Sequence, residues 1–85
     1  MNMEYALLIS RLGNQIRETR IRRGLTQVRL AELAGLTRQK VIAVEKGTDT
    51  VAMNAYARVL SALDCELTVI PAVMPTLEEL GELFE

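Results

Sequence analysis

The chain has 85 residues, 49% hydrophobic and 25% charged, which fits one small globular domain whose modest core would gain from contact with a second copy. It has no histidine and a single cysteine, Cys65, which excludes an imidazole base, a histidine or thiolate metal site and an internal disulfide. No apolar run approaches the roughly 18–20 residues of a membrane span. The opening MNMEYALLIS lacks a basic n-region, so no signal peptide is expected and a cytoplasmic location is.

The net charge of −1 hides a segregation. All ten cations lie between Arg11 and Arg58 against four acids, a net +6, while residues 59–85 carry a net −6. A basic body with an acidic tail suits phosphate binding by the body.

The spacing of Leu8, Leu12 and Ile16 predicts a first helix from Leu8 to Arg23, weakened in its middle by Gly13 and Asn14 and ended by Gly24. Thr26 is the expected N-cap of a second helix, Gln27 to Ala34, with Leu30, Ala31 and Ala34 on one face. Gly35 stops it. Thr37 then caps a third helix, Arg38 to Lys46, whose inner face is Val41, Val44 and Glu45 and whose end is Gly47. A fourth helix is predicted over Val51 to Leu63, on the repeat of Met53, Tyr56, Ala57, Leu60 and Leu63.

The period then changes from 3.6 to 2. Cys65-Glu66-Leu67-Thr68-Val69-Ile70 alternates, is rich in β-branched residues and ends at Pro71. A lone strand leaves its backbone groups unpaired. It therefore either pairs with the same strand of a second copy about a two-fold axis, through Leu67, Thr68, Val69 and Ile70, or is a short extended tail. Cys65 has no histidine to activate it and is expected to be a buried small apolar residue. The predicted organisation is residues 1–64 as the binding domain, 65–71 as the dimerising strand and 72–85 as an acidic tail. That tail, with Leu77, Leu80, Leu83 and Phe84, is either mobile or a docking segment that orders on a partner.

The segment TQVRLAELAGLTRQKVIAVEKG resembles the helix-turn-helix of the Xre/lambda-repressor family. It does so through Thr26-Gln27, Leu30-Ala31, Gly35, Thr37-Arg38-Gln39, Glu45 and Gly47. The strand after the fourth helix makes the chain similar to HipB-like antitoxins, in which such a strand replaces a fifth helix and pairs across a dimer. The fold expected is mainly α: a four-helix lambda-repressor-like bundle plus one C-terminal β-strand pairing across a homodimer.

The third helix would be the recognition helix, meeting base edges with its first turns. Arg38 can donate twice to guanine, Gln39 can bond adenine, and Ile42 and Ala43 can touch a thymine methyl. The family often has a long polar residue where Ala43 stands; alanine offers a methyl contact there and no hydrogen bond. Gln27, Arg29, Thr37, Lys40 and Lys46 are the expected phosphate contacts, Gln27 matching the family's phosphate-binding glutamine. The family likeness also implies an ion pair between Arg20 and Glu45.

The function implied is a sequence-specific repressor, dimeric on a palindromic operator in double-stranded DNA, and the antitoxin of a HipA-like kinase toxin. The toxin would contact either the acidic tail or a surface on the helices. The alternatives are a stand-alone phage-type or host regulator without a toxin, and an interaction module that no longer binds DNA. Catalysis and cofactors are not expected: no glycine-rich phosphate loop is present.

Overall fold

The computed structural model describes residues 4–71. Four helices follow in order: α1 Tyr5–Arg22, α2 Gln27–Ala34, α3 Arg38–Lys46 and α4 Met53–Ala62. α1 packs on α3, α2 packs on both α3 and α4, and α3 packs on α4. Ile16, Leu30, Val41, Val44, Val59 and Leu63 are fully buried where these helices meet.

The two helices that position the site are closed by local chemistry at both ends. Thr26 Oγ1 accepts from the Arg29 amide at 3.0 Å, and Thr37 Oγ1 accepts from the Lys40 amide at 3.2 Å. Each hydroxyl satisfies one donor that the first helical turn leaves over. At the other ends, Gly35 and Gly47 take left-handed backbone. The following amides, of Leu36 and Thr48, bond back to the carbonyls of Ala31 at 2.9 Å and Ala43 at 3.1 Å.

α1 begins three residues before the predicted Leu8, and its packing face keeps two of the three predicted residues. Leu8 is exposed, while Ile9, Leu12 and Ile16 meet the core. The cause is Gly13, which is buried against α3. A Cβ at Gly13 would lie 2.5 Å from the carbonyl oxygen of Val44 and 2.8 Å from that of Glu45. One built at Gly47 would lie 2.6 Å from Ser10 Cα. The two helices therefore touch backbone to backbone, and Gly13 is a contact surface rather than a weak point.

α4 is shorter than predicted, and its buried arc is Ala55, Tyr56, Val59, Leu60 and Leu63, with Met53 and Ala57 exposed. It is packed by α2 and α3 together, so small Ala55 and β-branched Val59 face inward where a reading by side-chain size selects Met53.

Residues 65–71 form neither helix nor strand, and the described residues contain no strand. A strand needs a ladder partner, and nothing else among the described residues offers one. Leu67, Val69 and Ile70 are exposed on the single chain. Cys65 is half-buried rather than buried, and its Sγ donates to the Leu63 carbonyl at 3.4 Å. The acidic tail, 72–85, lies outside the described residues. No helix among the described residues is long and apolar enough to cross a membrane.

Candidate nucleic-acid interface

α3 has two unlike sides. Val41, Val44 and Glu45 are buried. Arg38, Gln39, Lys40 and Lys46 are exposed, and Ile42 and Ala43 are half-buried between the two sides. Thr37 is exposed just ahead of the helix, its hydroxyl used as the cap. Arg38, Lys40 and Lys46 form no ion pair among the described residues. Other cations are engaged. Arg29 Nη1 donates to Glu32 at 2.9 Å, and Arg58 Nη1 donates to the Ala34 carbonyl at 3.5 Å. Among the described residues four cations have no hydrogen-bond or ion-pair partner for their side chains, and three of them, Arg38, Lys40 and Lys46, lie on α3, the fourth being Arg17 on α1.

The orientation of α3 rests on Glu45. Its side chain is only 3% exposed, a costly place for a carboxylate without donors. Arg20 Nε donates to Glu45 Oε2 at 2.6 Å, Arg20 Nη2 to Oε1 at 3.2 Å, and Gln27 Nε2 to Oε1 at 3.3 Å. The remaining guanidinium nitrogen of Arg20 donates to the Leu25 carbonyl at 2.8 Å. One arginine fork therefore ties α1, the α1–α2 turn and α3 together. No buried side-chain polar atom among the described residues is left without a partner.

Gln27 is half-buried and bonded to Glu45. An amide nitrogen carries two N–H groups, so the bond to Glu45 leaves one for another acceptor. Arg20, Thr26, Gln27, Val28 and Arg38 line one shallow depression between the starts of α2 and α3. It joins the first residues of α2 and the Arg38 end of α3 on one surface. Val28 was not among the residues singled out from the sequence. Its signal there is an apolar, β-branched residue off the inner stripe of Leu30, Ala31 and Ala34.

A family model described as a helix-turn-helix domain matches residues 11–72. The chain belongs to this family and is of the Xre type. An HTH-type transcriptional regulator of Methanothermobacter thermautotrophicus is 47% identical to this helix-turn-helix protein over 51 residues, 60% of the chain and 74% of the relative. The restriction-modification controller protein C.AhdI from Aeromonas hydrophila is 37% identical. The match covers 71% of the chain and 91% of C.AhdI, with a TM-score of 0.64. A chain of the HipA-HipB-O2-O3 complex shares the fold at 20% identity. That match covers 86% of this chain and all of the other, with a TM-score of 0.71.

Proposed function

We propose that this helix-turn-helix protein is a sequence-specific DNA-binding repressor that acts as a dimer on a palindromic operator. The observation that carries the reading is the two-sidedness of α3. Arg38, Gln39, Lys40 and Lys46 are exposed, and none of the three cations has a protein partner among the described residues. The opposite side is locked by Val41, Val44 and the Arg20–Glu45 pair. A helix held from behind with free donors in front is what major-groove readout requires. Arg38 and Gln39 read bases, with Ile42 and Ala43 making apolar contacts. Gln27, Arg29, Thr37, Lys40 and Lys46 meet phosphates. In a dimer two such helices enter successive major grooves about 34–36 Å apart.

Dimerisation is supported by the period-two segment, whose Leu67, Val69 and Ile70 stay in water on one chain. Pairing it with its copy would satisfy the backbone and set Leu67 and Val69 beside the side chains of the second strand on one face. The units are then residues 1–64 for DNA binding and 65–71 for pairing, leaving 72–85 as the acidic tail.

Two settings fit a repressor of this kind. The likeness to a chain of the HipA-HipB-O2-O3 complex covers more of the chain, 86% against 71% for C.AhdI, and is the support for an antitoxin that binds a HipA-like kinase toxin. The higher identity to C.AhdI, 37% against 20%, favours a regulator with no toxin. Footprinting on the DNA upstream of the chain's own gene, with and without the neighbouring gene product, tests both levels. Protection of two half-sites one helical turn apart is expected. An unprotected promoter overturns the repressor reading. An extended footprint and co-purification with a kinase-like neighbour select the antitoxin.

A further inference from the structure

We propose that Val28 is a positioning residue for base readout: it braces the stem of Arg38 so that the guanidinium meets one chosen base pair. The inference rests on α3 reading DNA and concerns a residue that reading does not use. Val28 is the second residue of α2, 51% exposed, and off that helix's buried stripe. It shares the depression between the starts of α2 and α3 with Arg20, Thr26, Gln27 and Arg38, and is its one apolar wall.

The other polar walls are already held. Arg20 is fixed by Glu45 and the Leu25 carbonyl, Gln27 by Glu45, and Thr26 by the Arg29 amide. Arg38 has no ion-pair partner among the described residues. A free arginine must be ordered before both its donors can meet guanine, and that ordering has an entropic cost. Valine is stiff at χ1, so its methyls form a fixed wall. The methylenes of an arginine seek such a surface while the charged head stays forward. The wall narrows the positions Arg38 samples and so sharpens the choice of base without touching it.

The test uses the full chain as Val28→Ala, Val28→Thr and Val28→Ile, each also in an Arg38→Ala background. Affinity is measured at one fixed salt concentration for the footprinted operator, for the operator with single base pairs exchanged, and for a random duplex. Val28→Ala is expected to weaken operator binding roughly fivefold and leave the random duplex unchanged, the size of effect that losing about one or two methyl contacts produces. Val28→Thr, similar in shape but polar, is expected to lose preference too, and Val28→Ile to keep it. The loss should vanish in the Arg38→Ala background and on the operator whose Arg38-read pair is exchanged. Equal loss on operator and random DNA, or loss that persists without Arg38, overturns the inference and makes Val28 a backbone contact. A parent chain that shows no operator preference overturns the DNA-reading itself, a separate and recognisable outcome.

Discussion

The Arg20 guanidinium and the Glu45 carboxylate form the one buried ion pair among the described residues, joined by two nitrogen–oxygen contacts, at 2.6 Å and 3.2 Å. Removing either partner leaves the other charge stranded in the interior. Arg20→Ala is therefore expected to lower unfolding stability by about 3–5 kcal/mol. Replacing both residues at once should cost less than the sum of the single changes. A double-mutant cycle by urea denaturation measures this, and additive losses would mean that the pair does not couple α1 to α3.

Gly13→Ala should destabilise the chain although alanine is the better helix former by about 1 kcal/mol. The new methyl would meet three backbone atoms within 2.9 Å, from Val44, Glu45 and Gly47, and backbone cannot swing aside as a side-chain tip can. An overpacking cost of about 1–3 kcal/mol is expected, seen as a lower melting temperature. A stabilised Gly13→Ala chain would show that α1 and α3 have room between them.

These two contacts also mark where the amino-acid sequence can and cannot be read. The ends of α2 and α3 were legible because they are written locally: threonine, a helical pattern, then glycine. Arg20–Glu45 followed from the family likeness, since nothing in 25 residues of separation announces it. Gly13 was read as a weakness because its value lies in a distant backbone. On α4 the pattern finds Tyr56, Leu60 and Leu63 but takes Met53 and Ala57 for Ala55 and Val59: two helices share the arc, and periodicity alone does not say which small residues they press on. The segment 65–71 has a strand's alternation but forms no strand among the described residues, because one chain holds no ladder for it.

Tyr56 is expected to set an alkaline limit on the fold. Its phenol donates to the Thr48 carbonyl at 3.3 Å. Burial, and then the nearby Asp49 carboxylate, push its pKa above the ordinary value for tyrosine. The folded chain thus holds this proton more tightly than the unfolded one. The contribution to stability is complete below about pH 10 and is lost as pH rises through the raised folded value. Tyr56→Phe should cost about 0.5–1.5 kcal/mol at neutral pH from the lost hydrogen bond. It should also flatten the decline above pH 10 in a denaturation series, and an unchanged alkaline decline would assign that limit to other groups.

The proposed pairing of residues 65–71 with a second copy can be tested at two side chains of the segment. Leu67 and Val69 fall on one side of an extended chain, and Val69 is 99% exposed. Leu67→Lys with Val69→Lys should give a monomer by sedimentation at micromolar concentration, with the helical signal intact. Operator affinity should fall by orders of magnitude because each half-site is then bound alone. A double-lysine chain that stays dimeric would place the contact elsewhere.

Arg38 and Lys40, two positions apart on α3, should fail in different ways when cut to alanine. Arg38 stands at the first position of the helix, where a fork of donors can meet both acceptors of a guanine. Its loss should remove about 1–3 kcal/mol of discrimination at one base pair and leave random-sequence binding little changed. Lys40 is a point charge with no protein partner among the described residues, and a phosphate would be equally available at every sequence. Lys40→Ala should weaken operator and random DNA alike and reduce the slope of log affinity against log salt by about 1. Titrations of both variants at four salt concentrations separate the roles. If Arg38→Ala shifts the salt slope and spares base preference, it is the phosphate contact, and the face of α3 that reads sequence must begin at Gln39.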